Sequence, residues 1–366
     1  MMIRTWLAAV MRGECPGAAL PDCQGWSEIL GVANEEGVVA LVYERMNNPE
    51  LAAAIPPELL GLFADAARVK AAESMFREAE CGRLLERLEK EDLPVLLLKG
   101  SALAYGLYAA PYLRECSDID LLFSTRAAAE QACAALCEAG RYQPGIAEKL
   151  GTYELTCTRT RNSPASLEVD LHWGIGSSPV YADRFGFDEL FKASLALPSL
   201  APTARGLGFV QAYLHASMHR VLNLWVGVGD RLKWLYDLHL MGQQFTEGEW
   251  AELVSVCREK QLCGPALDSL EAAAATFHTS IPEGVCGPLR QGAHTEPIDM
   301  QRIRHWTYIQ MLNFRAMPGL SLKARWLGQR LFPSGNFLQH YYGNGQGRVA
   351  TLSRHLKKGL YRLRGG

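Results

Sequence analysis

Two short segments carry residues whose types and spacing could do chemistry: Asp118-Ile119-Asp120, and Leu167-Glu168-Val169-Asp170-Leu171-His172-Trp173. A strand alternates its faces with period two, so Asp118 and Asp120 share one face. Carboxylates that close repel each other unless a cation lies between them, and hard divalent ions favour such oxygen donors. In the second segment Leu167, Val169, Leu171 and Trp173 face a core, and Glu168, Asp170 and His172 share the other face. A third carboxylate on a neighbouring strand would complete a two-metal cluster, which activates a hydroxyl and neutralises phosphate charge. The expected metal ligands and catalytic residues are therefore Asp118, Asp120 and Asp170, with Glu168 in the third place if the strand is shifted by two. His172 either orients an acceptor or acts as a base, or else is a hydrogen-bonded structural histidine.

Gly100-Ser101 follows an apolar run and opens a helix. Glycine permits close backbone approach, the helix N-terminus favours anions, and the serine hydroxyl can donate to a phosphate oxygen. Lys99 and Arg114 are expected either to bind phosphate oxygens or to form surface ion pairs, for example with Glu115. His215 and His219 lie four apart on one helical face; without a third ligand they are expected to line a cleft facing the carboxylates, or simply to be packed. Asp237 is expected to anchor Arg231, Lys233 or a histidine.

Several elements must position these groups. Residues 1–91 form an N-terminal helical region, with helical apolar spacing in Trp6 to Met11, Trp26 to Ala33 and Val38 to Met46. Pro56-Pro57 interrupts it, and a long amphipathic pattern then runs from Glu58 to Glu91. Residues 92–176 read as a compact α/β core. Val95 to Leu98 is a buried strand, a short helix runs from Gly100 to Tyr108, and Ile119 to Phe123 is a second strand. An Ala-rich helix capped by Ser124 or Thr125 follows, then strands over Tyr153 to Thr158 and Leu167 to Trp173. Residues 177–366 are a C-terminal helical region with a basic tail, its clearest helices spanning Leu207 to Leu222, Arg231 to Met241, Trp250 to Lys260, Ala266 to Phe277 and Met300 to Phe314. Pro333 to Arg348, with five Gly or Pro residues, is expected to be irregular. The fold class is α+β, a small mixed sheet flanked by helical regions.

LLLKGSALAYGLY, LRECSDIDLLF and LEVDLHW together resemble the DNA polymerase β-type nucleotidyltransferase superfamily. More narrowly, the chain is similar to the bacterial uncharacterised nucleotidyltransferase family, whose members carry Lys-Gly after the first strand, Arg before Ser-Asp-Ile-Asp, and an Asp-Leu-His-Trp strand. HASMHR, LKWLYDL and LFPSGNFLQHYYG resemble that family's helical part. The resemblance implies transfer of a nucleoside monophosphate from an NTP such as ATP to an acceptor hydroxyl or phosphate, releasing pyrophosphate. It implies two Mg²⁺ ions, or Mn²⁺, on Asp118, Asp120 and Asp170. It also implies a nucleotide site at Lys99, Gly100, Ser101 and Arg114, and a role in polysaccharide or peptide biosynthesis. Two features depart from the superfamily pattern: the long Ser101–Asp118 gap, and Lys99 where an apolar residue is usual. The alternative is a non-catalytic nucleotide-binding or regulatory protein on the same scaffold.

Composition bounds the rest. No stretch approaches the ~20 apolar residues of a membrane span. The cysteines show no zinc-ligand spacing, and a reduced cytoplasmic protein is expected. The net charge of −2 conceals an asymmetry: from Met300 onward there are 12 Lys or Arg and no Asp or Glu. Such a tail suggests an acidic acceptor, nucleic acid or an anionic membrane surface as partner, or neutralisation by the chain's own acidic body. Leu352, Leu356, Leu360 and Leu363 recur at helical spacing among basic residues, as in helices that lie on membranes or dock on their own protein.

Overall fold

The computed structural model describes residues 2–14, 25–138, 140–145, 152–159, 167–176, 178–335, 338 and 348–363. The chain enters as three short helices, α1 (Ile3–Met11), α2 (Trp26–Glu36) and α3 (Val39–Met46), followed by one turn, α4 (Pro49–Ala52). The 34-residue helix α5 (Pro57–Lys90) comes next. Pro57 at its first position costs nothing there, since that N–H has no intrahelical acceptor, and fixes the entry angle. The early apolar residues of α5, Leu59 and Phe63, join one hydrophobic cluster, whereas Leu84, Leu85 and Leu88 join another. The helix therefore ties the two cores together.

The second core lies against one face of a seven-stranded sheet of order β3-β4-β5-β2-β1-β7-β6. Its strands are β1 (Leu96–Leu97), β2 (Asp118–Leu122), β3 (Tyr142–Pro144), β4 (Glu154–Arg159), β5 (Glu168–His172), β6 (Leu195–Ala196) and β7 (Arg205–Gly206). Helix α6 (Lys99–Gly106) follows β1, and α7 (Arg126–Glu138) follows β2. The α7 N-terminus is capped by Thr125, whose Oγ1 accepts from Ala128 N at 3.1 Å. Ile119, Leu121, Phe123, Val169 and Leu171 point from the sheet into this core. Cys133 and Cys137 of α7 meet Cys157 of β4 on the same side, with Cys133 and Cys157 sulfurs 2.9 Å apart. The described cysteines are free thiols.

The sheet's other face looks toward the helices. After α8 (Phe187–Lys192) come α9 (Phe209–Leu222), α10 (Leu232–Gln244), α11 (Glu247–Lys260), α12 (Cys263–Phe277), α13 (Cys286–Thr295), α14 (Trp306–Ala316), α15 (Gly319–Leu331) and α16 (Arg348–Leu363). The larger hydrophobic cluster draws Trp6, Leu7, Val10, Val39 and Val42 from α1 and α3 together with Tyr213, Leu238, Ala266 and Phe277. The N-terminal helices and α9, α10 and α12 thus share one interior. Most of Pro333 to Arg348, expected to be irregular, lies outside the described residues.

Candidate metal centre and nucleotide site

Strands β2 and β5 are adjacent and parallel, with Asp118 opposite Glu168 and Asp120 opposite Asp170. Alternation then places Asp118, Asp120, Glu168, Asp170 and His172 on the face directed at the helices. The sheet brings together oxygens of Asp120 and Asp170 and a ring nitrogen of His172, all within 4.8 Å of one another. Asp118 and Glu168 sit one pair further out, toward the strand mouth. The closest donor set is therefore Asp120, Asp170 and His172, with Asp118 at its rim. The three-aspartate set expected from sequence did not include His172, which joins because its ring, two residues past Asp170, reaches diagonally across to Asp120.

Asp120 is only 2% exposed. Burial alone would raise its pKa, but the Lys99 ammonium and His172 outweigh that cost and hold it well below the usual carboxylate range. Lys99 Nζ lies 2.5 Å from Asp120 Oδ1, and His172 Nε2 lies 2.9 Å from the same oxygen. Burial, joined by the charge of Asp120, pushes Asp118 up, against the pull of Lys99. Lys99 itself stays protonated: burial is overcome by Asp120, Asp118 and Glu154. Its φ of +50° is in the left-handed region, which costs energy for a residue with a Cβ. That conformation occurs where the chain turns from β1 into α6, with the Lys99 side chain on the carboxylates.

The neighbouring strand supplies two groups the sequence reading missed. Thr156 of β4 donates its hydroxyl to Asp170 Oδ1 at 2.6 Å. Glu154, opposite His172 in the β4–β5 register, brings Oε2 to 3.3 Å from His172 Nδ1. That separation permits electrostatic attraction, but the geometry does not make a hydrogen bond, and Nδ1 is a buried nitrogen without one. Burial, together with Asp170 and Asp120, raises the Glu154 pKa against His172 and Lys99. The signal was present as the alternation Glu154, Thr156, Thr158 in an otherwise apolar strand, but assigning it requires the strand order.

The nucleotide-site residues divide. Lys99 is beside the carboxylates. The Ser101 hydroxyl, almost buried, lies 3.3 Å from the Asp118 carbonyl oxygen and fastens the start of α6 to β2. Gly100 is a close approach, but to protein: a Cβ there would meet Cys116 Sγ at 2.6 Å and Arg114 Nη1 at 3.2 Å. Arg114, expected to bind phosphate or form a surface pair, is instead in a buried fork with Asp237. Its Nε is 2.7 Å from Oδ1 and its Nη2 is 2.8 Å from Oδ2. Tyr108 also donates to that carboxylate, at 2.7 Å. Asp237 thus anchors Arg114 rather than Arg231, Lys233 or a histidine. The pairing corrects both readings, and its physical reason is burial: an interior guanidinium requires a carboxylate within reach.

His215 and His219 reach the site from α9. They line a cavity between that helix and the β1–α6 turn, together with Lys99, Ala102, Leu103 and Trp234. Burial, reinforced by the Lys99 charge, pushes His215 down to about 3. The same causes, with His215 added, hold His219 far below its usual value. Both imidazoles are neutral at pH 7. His219 meets Trp234 edge-on at 4.6 Å between ring centroids.

Do these residues fit divalent ions? Two carboxylates and an imidazole with converging donor atoms, and a third carboxylate at the rim, form an oxygen-rich donor set suited to Mg²⁺ or Mn²⁺. Lys99 now supplies the positive charge that such an ion would bring.

A mixed sheet with paired acidic strands, with α5 and α7 on one face and α9 on the other, makes an α+β protein. The chain belongs to a family described as uncharacterised nucleotidyltransferase, whose model matches residues 22–278. No curated protein matches it.

Proposed function

We propose that the chain is a Mg²⁺-dependent nucleotidyltransferase, acting in the cytoplasm, that moves a nucleoside monophosphate from an NTP to an acceptor hydroxyl or phosphate. The observation that carries this reading is the register of β2 and β5, which sets Asp120 beside Asp170 with Asp118 at the mouth. Asp118 and Asp120 would hold an ion beside the triphosphate, and Asp170 with His172 would hold a second. When bound, the ions neutralise phosphate charge and acidify the acceptor hydroxyl. Asp170 takes the acceptor proton as the acceptor oxygen bonds to the α-phosphorus and the bond to the departing pyrophosphate breaks. Lys99 keeps a positive charge beside the reacting phosphates, and Thr156 fixes the Asp170 carboxylate. The chemistry is one of positioning and electrostatic stabilisation. By its family resemblance, the protein would serve as an accessory of polysaccharide or peptide biosynthesis.

The test is pyrophosphate release from each NTP with Mg²⁺ and a cell-extract acceptor pool. Asp118→Asn and Asp120→Asn should abolish release and preserve the fold; wild-type turnover in either variant refutes the assignment. One observation favours a second reading, a non-catalytic nucleotide-binding or regulatory protein: the Lys99 ammonium already neutralises Asp120. Calorimetric titration with NTP and Mg²⁺ that gives tight binding, with no release in the same acceptor pool, would select it.

A further inference from the structure

Helix α15 presents an apolar face outward. Leu320, Ala324, Leu327 and Leu331 follow the i, i+4, i+7, i+11 spacing of one helical stripe, and all four are exposed. Leu320 is 85% exposed, Leu327 47%, Leu331 43% and the adjoining Phe332 68%. The opposite side of the helix is fixed to the protein by buried Trp326, whose ring lies 5.9 Å from that of Phe314. A surface helix normally directs its leucines inward; here the stripe faces away from the core that holds the helix.

The charge along this segment of the chain has one sign. Lys323 and Arg330 flank it, with the Arg330 guanidinium 3.7 Å over the Trp326 ring and the Lys323 ammonium 5.6 Å from the Phe314 ring. Helix α16 adjoins, His355 Nε2 lying 2.9 Å from the Arg330 carbonyl oxygen. No Asp or Glu follows Asp299, while 12 Lys or Arg do.

We propose that α15, with the basic segment around it, docks this protein on the surface of an anionic lipid bilayer. The leucine stripe enters the headgroup–acyl boundary, and the flanking cations meet lipid phosphates. Nucleic acid would answer the charge but gain little from a row of leucines. A second copy of the chain would answer the leucines but bring the same positive charge. A bilayer answers both. No described helix is long and apolar enough to cross a membrane, so the helix lies along the surface.

The experiment is co-sedimentation of the full chain with vesicles of phosphatidylcholine alone, or mixed equally with phosphatidylglycerol. Binding should require phosphatidylglycerol and weaken with salt, as exposed charges are screened beyond ~8 Å at physiological ionic strength. The double substitution Leu327→Gln, Leu331→Gln leaves the charge unchanged. It should lower the vesicle partition coefficient roughly tenfold or more, with an unaltered melting temperature. Lys323→Gln should reduce binding while keeping the stripe. Three results overturn the proposal: wild-type binding by the leucine variant, which leaves charge adsorption alone; retention on homopolymer RNA without vesicle binding; or a dimer in solution that the leucine substitutions dissolve without any effect on vesicles.

Discussion

Removing Asp237 would leave the Arg114 guanidinium in the interior without its partner. The two side chains are 5% and 2% exposed, so water screens the pair little. Arg114 cannot escape by deprotonating, because a guanidinium keeps its charge even where burial opposes it. Asp237→Ala also strips the acceptor from Tyr108, whose hydroxyl is buried beside it. Breaking a buried pair from one side costs about 3–5 kcal/mol, chiefly because the surviving charge is stranded. Urea unfolding followed by circular dichroism should show a loss of that size. The double variant Arg114→Met, Asp237→Leu should recover most of it, since the pair can be exchanged for apolar packing but not halved. A loss under ~1 kcal/mol for Asp237→Ala would refute the reasoning, because it would mean that Arg114 finds water or another anion. Had Arg114 been a phosphate ligand, the same variant would have spared stability and altered nucleotide affinity instead.

Gly100→Ala should destabilise by about 1–3 kcal/mol through the clash with Cys116 and Arg114, and Cys116→Ala should recover part of that loss in thermal melts. Lys99→Met should lower the melting temperature in EDTA, and Mg²⁺ should restore it by more than it stabilises the wild type, since an ion would replace the missing ammonium; equal Mg²⁺ shifts in both proteins would count against an ion at Asp120. Glu80 is buried against Arg83 and Tyr142, and although burial raises its pKa, those contacts with Arg159 bring it below the ordinary value. A depressed carboxylate pKa gives stability that is present at neutral pH and lost as pH falls through the folded-state value. Glu80→Gln should therefore cost about 1–3 kcal/mol at pH 7, with the gap to wild type closing as pH falls below the ordinary carboxylate range in urea titrations.

The parts of this molecule legible in its sequence were those with a period. The alternation in Leu167 to Trp173 separated a core face from a polar face, and the structure divides them the same way: Val169 and Leu171 inside, Asp170 and His172 toward the helices. The long pattern after Pro57 became α5, and Thr125 capped α7. Three of the short strands were not legible. Tyr142–Pro144, Leu195–Ala196 and Arg205–Gly206 are too short to show an alternation, and their pairing is decided by partners far along the chain. The same distance hid Asp237 from Arg114, 123 positions earlier. It also hid Glu154 and Thr156, whose importance comes from lying beside β5 and not from any local motif. Spacing along one strand can place two carboxylates on a face; which third group stands beside them depends on strand order.

The interior that the N-terminal helices share with α9, α10 and α12 has a consequence for biosynthesis. The apolar faces of α1 and α3 are covered in the finished protein by residues between Tyr213 and Phe277, and Arg12 donates to the Thr276 carbonyl oxygen at 2.7 Å. The ribosome makes Trp6, Val39 and Val42 long before it makes their covering. At ~5–20 residues per second, that delay is on the order of 10–50 s. Throughout it, α1 and α3 can pack on α2 and α5 but lack the rest of their covering. Its yield in a cell should depend on holding chaperones, and on translation speed, more than the stability of the completed fold would suggest.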